Sequence, residues 1–312
     1  MTPRLFYSDR YYADIGLHVF PMVKYRLVRD ALTAGGAAGP DDFAEPGELA
    51  EEDALRVHTR AYWQKVLHGF GLADEARLEL PYSPELAEAF RRMAQGSVLA
   101  ARRALEGGFA ANLGGGFHHA FPDHGEGFCM LNDVAIALRH LLAHRAVERA
   151  AVIDTDLHQG NGTAAIFEGD PSVFTYSIHQ EHNYPHPKAR SDLDVGLADG
   201  TAGPAYLERL GRDVPAVLDR QRPQVVAYVA GTDPYEDDQL GAIRLTREDL
   251  RRRDALVLEE CRRRSVPVFV TLAGGYARRL EDTVRLHAAT VELGLARPAP
   301  AAAPGGKDAR HA

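Results

Sequence analysis

The sequence predicts a single α/β domain with a central parallel sheet flanked by helices, and three observations lead to this fold class. Short apolar runs rich in β-branched residues have the continuous hydrophobicity of strands buried on both faces. Amphipathic segments of helical length separate these runs, as expected for strands joined by crossover helices. The 312 residues, of which 45% are hydrophobic, are enough for one large core.

Four runs are predicted as strands: AAVIDTD in the 150s, SVFTYSIH in the 170s, QVVAYVAGTD in the 220s, and VPVFVTLAGGY in the 260s and 270s. The amphipathic segments predict helices over residues 132–149, 205–220 and 246–264. Residues 33–48, rich in Gly, Ala and Pro, predict a loop between two early elements. We expect one folded domain over residues 1–296 and a disordered tail over residues 297–312, where Pro, Ala and Gly follow no periodic pattern.

The charge balance argues against direct binding of nucleic acid. The net charge is −8 at pH 7, with 36 basic and 44 acidic side chains, whereas binding a phosphate backbone requires a basic surface. Two arginine clusters occur, at residues 251–253 and 262–264, but acidic residues alternate with them. We therefore predict that these arginines lie on the solvated surface of a helix.

Cysteine content and hydropathy predict a cytoplasmic protein. The two cysteines, Cys129 and Cys261, cannot form a disulfide framework and fit a reducing compartment. The first residues contain no apolar run of signal-peptide length, and no stretch approaches the ~18 apolar residues that a membrane span requires. We expect no membrane span, and the sequence predicts no particular oligomeric state.

Residues that can carry chemistry follow three of the predicted strands. These residues are Asp154, Asp156 and His158 after the first run, Asp233 after the third and Tyr276 after the fourth. Because sites in parallel sheets form at the carboxyl ends of strands, we expect these side chains to lie close together.

Three of these residues, Asp156, His158 and Asp233, are predicted to bind one catalytic metal ion. Asp156 and His158 are two residues apart, so on an extended chain they point to the same side. Carboxylate and imidazole ligands suit Zn²⁺, with Fe²⁺ as an alternative, and three protein ligands leave a position open for water. Taken alone, the Asp-x-Asp-x-His pattern is equally compatible with a polar loop, and only the residues at the other strand ends favour a metal site.

A metal-dependent hydrolase needs further groups, and the sequence offers them. A bound metal lowers the pKa of its water and polarises an amide carbonyl, after which a base, an acid and an oxyanion donor are required. His118 and His119, adjacent after a glycine run, can serve as base and acid. Asp154 can orient one imidazole, and the Tyr276 hydroxyl can donate to the oxyanion.

Five motifs resemble those of histone deacetylases and their bacterial relatives, which have the arginase/deacetylase fold. The motifs are LGGGFHHA (113–120), GFCMLND (127–133), IDTDLHQGNGT (153–163), AGTDPYEDDQLG (230–241) and AGGY (273–276). The resemblance covers nearly the whole chain, from about residue 7 to residue 293. It implies that residues 1–296 are a deacetylase catalytic domain.

The resemblance also implies roles for individual residues. The implied zinc ligands are Asp156, His158 and Asp233, and the implied catalytic residues are His118, His119, Asp154, Asn161 and Tyr276. Within this set, Asp154 is implied to partner His118, and Asn161 is implied to lie beside His119. The family further implies a structural potassium ion near Asp154, Asp156, His158, Ser177 and Ile178.

The segment from His158 to Asn161 departs from many family members. It reads His-Gln-Gly-Asn, where many relatives have His and Asp at the second and last positions. This segment, with the GGGFHH and Asp-Gln-Leu-Gly runs, is similar to the class IV branch. Because an amide cannot carry the negative charge of an aspartate, His119 is expected to be less basic than in those relatives.

The resemblance implies a zinc amidohydrolase that removes acetyl or longer acyl groups from lysine side chains in proteins or peptides. The alternative is an acetylpolyamine or other small-molecule amidohydrolase of the same fold. Polyamine enzymes favour an acidic residue at the channel mouth, and that position aligns with Leu240, although Asp237 and Asp238 are close to it.

Gly127, Phe128 and Leu240 are expected to line the substrate channel, with Phe128 as a wall and Leu240 near the mouth. The class IV resemblance points to acyl chains longer than acetyl. Since each buried methylene contributes about 0.8 kcal/mol, we expect a long-chain acyl peptide to be preferred over its acetyl analogue.

Overall fold

The computed structural model describes residues 2–296, so the predicted tail lies outside the described residues. Within this range the strands are β1 (Leu5–Phe6), β2 (Phe43–Ala44), β3 (Phe109–Asn112), β4 (Ala150–Asp154), β5 (Val173–Gln180), β6 (Leu193–Leu197), β7 (Val225–Val229) and β8 (Val268–Thr271). They form one sheet in the order β2-β1-β3-β8-β7-β4-β5-β6, and every neighbouring pair is parallel. The predicted fold class is confirmed.

Helices flank this sheet. Those within residues 2–296 are α1 (Lys24–Ala34), α2 (Glu51–Ala54), α3 (Arg60–His68), α4 (Leu72–Leu78), α5 (Pro84–Gly107), α6 (Asp133–Ala143), α7 (Asn161–Phe167), α8 (Gly203–Gln221), α9 (Arg247–Arg263) and α10 (Leu280–Leu295). Every residue of β3, β4, β7 and β8 is buried, so both faces of the central sheet are covered. In the described part of the chain, no helix has the length and apolar character needed to cross a membrane. The cytoplasmic location stays a prediction.

The four predicted strands are confirmed, whereas four others were not predicted. β1 and β2 have two residues each and β3 has four, which is too short to show a periodic pattern. β6 lies at the sheet edge and only its central residue is buried, so it lacks a continuous apolar run. The predicted loop at residues 33–48 is wrong in part, because it contains β2 and the 3₁₀ turn Pro40–Asp42.

The predicted helices are present, and α8 and α9 agree with their predicted bounds to within two residues at each end. Helix α6 is shorter than the predicted range 132–149, because it ends at Ala143. There Arg145 adopts a left-handed backbone conformation, with φ of 54°, and the N–H of Ala146 bonds to the carbonyl of Leu141. Such a turn closes a helix and cannot continue it.

Arg253 on α9 ties together the carboxyl ends of two central strands. Its side chain is fully buried, and its Nη1 donates to the carbonyl oxygens of Thr155 and Gly231, at 3.2 and 2.6 Å. Thr155 follows β4 and Gly231 lies after β7, next to the predicted metal ligands. The Asp254 carboxylate, 2.8 Å away, balances the charge. The prediction of a solvated arginine cluster is therefore wrong at Arg253, although the two arginines before it are exposed.

We expect Arg253→Met to lower the free energy of unfolding by about 3–5 kcal/mol, because it leaves the Asp254 carboxylate buried without its counter-charge. Urea denaturation followed by circular dichroism measures this change. The matched control is Arg252→Met on the same helix, where an exposed side chain should alter stability by less than about 0.5 kcal/mol. Equal stabilities of the two variants would contradict a structural role for Arg253.

Candidate active site

The segments that follow four adjacent strands converge on one buried site. The strands β3, β8, β7 and β4 are neighbours in the sheet, so their carboxyl ends lie side by side. All the side chains predicted for catalysis or metal binding are buried in this region: His118, His119, Asp154, Asp156, His158, Asn161, Asp233 and Tyr276. The structure thus brings the complete predicted set together.

The three predicted ligands present atoms close enough to share one metal ion. One ligand atom each from Asp156, His158 and Asp233 lies within 4.8 Å of the other two. The Asp233 Oδ1 atom accepts the backbone N–H of Leu157 at 2.9 Å. Its Oδ2 atom is buried, accepts no hydrogen bond from residues 2–296, and lies 3.2 Å from Nδ1 of His158. An unpartnered buried carboxylate oxygen beside an imidazole nitrogen fits a bound cation.

Gly274, in the AGGY motif, allows the backbone to approach this cluster. Its N–H donates to Oδ2 of Asp156 at 2.9 Å. A Cβ atom at this position would lie 2.2 Å from the Asp233 carboxylate and 2.7 Å from that of Asp156. Only glycine can therefore bring its N–H to the ligands without displacing them.

The charges at the cluster also favour a divalent cation. Burial, and then the charge of Asp156, raises the pKa of Asp233. Burial lowers the pKa of His158, but Asp156 and Asp233 outweigh burial and raise it to about 10. A proton and a metal ion therefore compete for the His158 nitrogen. The residues fit a divalent ion, and this donor set suits Zn²⁺ or Fe²⁺.

His118 is paired with a carboxylate. Its Nδ1 lies 2.7 Å from Oδ2 of Asp154, as the resemblance implied, and its Nε2 lies 3.7 Å from Asp156. Burial lowers the pKa of His118, but the charges of Asp154 and Asp156 outweigh burial and raise it to about 9. At neutral pH both ring nitrogens of His118 then carry protons, and Nε2 is a donor.

His119 has the opposite electrostatic environment. Its Nδ1 lies 2.7 Å from Oδ1 of Asn161, and its ring lies 4.1 Å from the ring of His118. Burial, and then the charges of His118 and His158, holds the pKa of His119 well below its ordinary value. The hydrogen bond with Asn161 raises the pKa of His119 but does not outweigh burial, and the comparison with relatives that have an aspartate at this position stays a prediction.

Asp133, at the start of α6, holds the loop that carries both histidines. Its carboxylate accepts the N–H groups of Gly116 and Phe117 at 3.0 and 2.7 Å. Gly115 has a φ of 71°, and a Cβ there would lie 2.2 Å from this carboxylate. The GFCMLND motif contains Asp133, but no local pattern connects it with a backbone segment 16 residues earlier.

Lys24 is a second residue that sequence reasoning missed. Its side chain is fully buried, and its Nζ donates to the carbonyl of Ala273 at 2.6 Å and lies 5.5 Å from the centre of the Tyr276 ring. A lone lysine in a helix is usually solvated, so the sequence did not indicate that Lys24 would be buried.

The Tyr276 hydroxyl remains a proton donor. Burial, and then Asp233 and Asp156, raises the pKa of Tyr276 well above its ordinary value.

Two cavities adjoin the cluster. The inner one, of about 20 Å³, lies among the ligands, both histidines and a wall that includes Phe20, Phe117 and Cys129. The outer one, of about 200 Å³, is lined by Glu79, His119, Gly127, Phe128, His158, Asn183, Tyr184, Leu240 and Tyr276. The predicted channel residues Gly127, Phe128 and Leu240 thus lie on one cavity, but Glu79, Asn183 and Tyr184 come from segments without a recognised motif.

The two aspartates near Leu240 do not line the outer cavity. Asp238 is buried and accepts the N–H groups of Leu240 and Tyr276 at 2.9 and 2.7 Å. Asp237 lies at the surface, 3.5 Å from Arg278. Asp238 therefore orients the segment that carries Tyr276, and neither aspartate faces the channel mouth.

The potassium site and the class IV affiliation stay predictions. Asp154 pairs with Ser177 in the parallel register of β4 and β5, and Ile178 follows Ser177. The residues named for potassium therefore come from adjoining strand ends, which is compatible with a shared cation.

Comparisons with known proteins agree with this geometry. A family model described as the histone deacetylase domain matches residues 18–291. An uncharacterized protein of Picosynechococcus sp. is 40% identical over 273 residues, which are 86% of this chain and 90% of that protein. Histone deacetylase 2 of Arabidopsis thaliana is 29% identical over 286 residues, covering 88% of this chain and 73% of that protein.

A solved structure shows the same fold. The crystal structure of the HDA15 HD domain superposes with a TM-score of 0.77 at 23% sequence identity, and the match covers 94% of this chain and 91% of that one. The arginase/deacetylase fold predicted from the motifs is therefore confirmed. Since the matched family model includes the loops that carry every predicted catalytic and ligand residue, the chain belongs to the histone deacetylase family.

Proposed function

We propose that this chain is a zinc-dependent amidohydrolase that removes short acyl groups, above all acetyl, from lysine side chains in proteins or peptides. One observation carries the proposal: three buried residues able to hold a metal ion lie beside two histidines with opposite pKa shifts and a tyrosine. Deacetylase chemistry follows from the family, while zinc, lysine and the size of the acyl group are our proposal.

Each residue has a distinct part in the proposed reaction. A divalent ion bound by Asp156, His158 and Asp233 would lower the pKa of a water and polarise the amide carbonyl. His119 has a lowered pKa and its Nδ1 faces the Asn161 amide oxygen, so its Nε2 is free to take a proton from the attacking water. Once protonated, His119 can return this proton to the leaving amine nitrogen.

Two hydrogen-bond donors can stabilise the negative charge that develops on the carbonyl oxygen. His118, with its raised pKa and its Nδ1 held by Asp154, can donate from Nε2. The Tyr276 hydroxyl stays protonated and lines both cavities. Donors fixed before the reaction stabilise the oxyanion without the cost of reorientation.

The inner cavity supports a small acyl group. A volume of about 20 Å³ is close to the ~10–15 Å³ that one water molecule requires, so it can hold a methyl group but not an extended chain. Phe20 closes it on one side, where its ring stacks on that of Phe128 with centres 5.8 Å apart. This packing opposes the long-chain preference that the class IV resemblance led us to expect.

A second candidate function is hydrolysis of acetylated polyamines, and Glu79 favours it. Leu240 is apolar, but Glu79 lies at the end of α4 and brings a carboxylate to the same outer cavity. A carboxylate there can attract a second ammonium group of the substrate. The polyamine function would require that an acetylated polyamine be hydrolysed faster than an acetyl-lysine peptide, and that Glu79→Gln abolish this difference.

We expect Asp233→Ala to lose the bound metal while keeping the fold, because it removes the Oδ2 atom, which accepts no hydrogen bond within the described part of the chain. Metal content by elemental analysis, with circular dichroism to monitor the fold, tests this. Asp237→Ala is the matched control, since it alters a surface carboxylate of the same motif. A full complement of metal in Asp233→Ala would sink the ligand assignment.

We expect Tyr276→Phe to reduce kcat by about 10²–10³ with little change in KM, because the hydroxyl acts where charge develops and not in the ground state. Steady-state kinetics on an acetyl-lysine peptide measure both constants. Tyr12→Phe, which alters an exposed tyrosine, serves as the control. An unchanged kcat would exclude Tyr276 from the mechanism.

We expect kcat/KM to fall in the order acetyl, octanoyl, myristoyl on one lysine peptide assayed with the zinc-loaded enzyme. Forcing extra methylenes into a filled space costs about 1–3 kcal/mol, which corresponds to a decrease of about 5- to 150-fold. An acetylated polyamine in the same panel tests the second candidate function. A preference for myristoyl would show that the channel opens in solution and would support the prediction that long acyl chains are preferred.

A further inference from the structure

The partner of His119 is itself held by a carboxylate that no motif includes. The Asn161 amide presents Oδ1 to Nδ1 of His119 at 2.7 Å, and its Nδ2 donates to Oε1 of Glu126 at 2.5 Å. The same Oε1 atom accepts the hydroxyl of Tyr184 at 2.9 Å. Asn161 is buried, and the Glu126 side chain is 19% exposed.

This contact matters because an asparagine amide can turn in either direction. With Oδ1 towards His119, the ring must donate from Nδ1, and Nε2 remains free to accept a proton. With Nδ2 towards His119, the ring must accept at Nδ1, and the proton of the neutral imidazole moves to Nε2. His119 in that second tautomer cannot act as a base. An aspartate at position 161 would not have this ambiguity, because a carboxylate only accepts.

We propose that Glu126 is a positioning residue that fixes the Asn161 amide and thereby the Nδ1–H tautomer of His119. A carboxylate can only accept hydrogen bonds, so it admits only the orientation in which Nδ2 faces Glu126 and Oδ1 faces His119. Asn161 and Glu126 together thus fix the Nδ1–H tautomer of His119, which a single aspartate at position 161 would fix alone. The effect on turnover rests on the proposed function, whereas the tautomer is a property of the resting protein.

The position of Glu126 is determined by its own short turn. The N–H of Cys129 donates to the Glu126 carbonyl at 2.9 Å, which closes the turn. Gly127, within this turn, has a φ of 54°, and a Cβ there would lie 2.8 Å from the Tyr184 ring. The Tyr184 ring in turn packs edge-on against His119, with centres 5.0 Å apart. The turn therefore fixes the backbone of Glu126, and the Tyr184 hydroxyl holds its carboxylate next to Asn161.

The first experiment reads the tautomer directly. Ring nitrogen chemical shifts from ¹⁵N-histidine labelling, assigned by comparison with His119→Ala, distinguish Nδ1–H from Nε2–H. We expect Nδ1–H in the wild type and in Glu126→Gln, because Asn161 Nδ2 and the Tyr184 hydroxyl both donate to the same oxygen and would hold the glutamine amide with its oxygen towards them. Glu126→Met offers no acceptor, so we expect the Nε2–H form to appear. An unchanged Nδ1–H tautomer in Glu126→Met would overturn the proposal.

Kinetics of the zinc-loaded variants give a second readout. We expect Glu126→Met to lower kcat on the order of 10-fold with KM unchanged, because base catalysis depends on the tautomer. Glu126→Gln should stay close to the wild type. The control Glu208→Met removes an exposed glutamate on α8, remote from the site, and should have no effect. If Glu126→Gln lowered kcat as much as Glu126→Met, the charge of Glu126 and not the orientation of the Asn161 amide would be responsible. The proposal would then be wrong.

Exchanging the amide and the carboxylate between positions 161 and 126 provides a test that does not depend on the folding of Glu126→Met. Asn161→Asp alone places two carboxylates in contact and should be less active than the wild type. Combined with Glu126→Gln, the glutamine amide can donate to the new aspartate, and activity should recover. A double variant no more active than Asn161→Asp would overturn the proposal. Loss of deacetylation in every protein, including the wild type, would instead refute the proposed function and leave the tautomer measurement valid.

Discussion

Buried negative charge at the carboxyl edge of the sheet is the constraint on which this site depends. Asp154, Asp156 and Asp233 are all buried, and an uncompensated buried charge costs several kcal/mol. The chain compensates in part with imidazole rings and backbone N–H groups. Two buried cations, Lys24 and Arg253, also contribute, and each donates to a backbone carbonyl near the cluster. A divalent ion held by Asp156, His158 and Asp233, as we propose, would complete the balance, so the same buried charges would provide the affinity of the site for metal.

The glycine runs follow from the same constraint, because backbone groups can serve as partners only where no side chain intervenes. The loops after β3 and β8 lie backbone to backbone: the N–H groups of Leu272 and Ala273 donate to the carbonyls of Gly114 and Gly115 at 3.2 and 3.0 Å. A Cβ on Gly116 would lie 2.5 Å from the Ala273 side chain. The histidine pair and the tyrosine are thus held at a fixed separation by direct contact between their two loops.

The sequence predicted the residues that end the long strands, because an apolar run followed by Asp or His is visible locally. The resemblance implied two of the partners that orient them, Asp154 for His118 and Asn161 for His119, but not the more distant ones. Asp133, Lys24 and Glu126 act through contacts that the fold creates, and each looks alone like an ordinary helix cap or surface charge. Arg253 is predicted to be solvated because acidic residues alternate with the arginines around it, but the fold buries Arg253 and leaves Arg251 and Arg252 exposed. The shape of the inner cavity could not be predicted for the same reason, since it depends on how Phe20 packs against Phe128.

Strand β8 lies at the centre of the sheet but is the last of the described strands along the chain. It separates β3 from β7, and both precede it in the chain. On the ribosome, the nascent protein therefore carries two partial sheets whose facing edges stay open until residues 268–271 emerge. Open strand edges recruit other chains, and slow long-range pairing prolongs the exposure. The interval between the synthesis of β7 and that of β8 is therefore the one in which these two edges are most exposed to pairing with other chains.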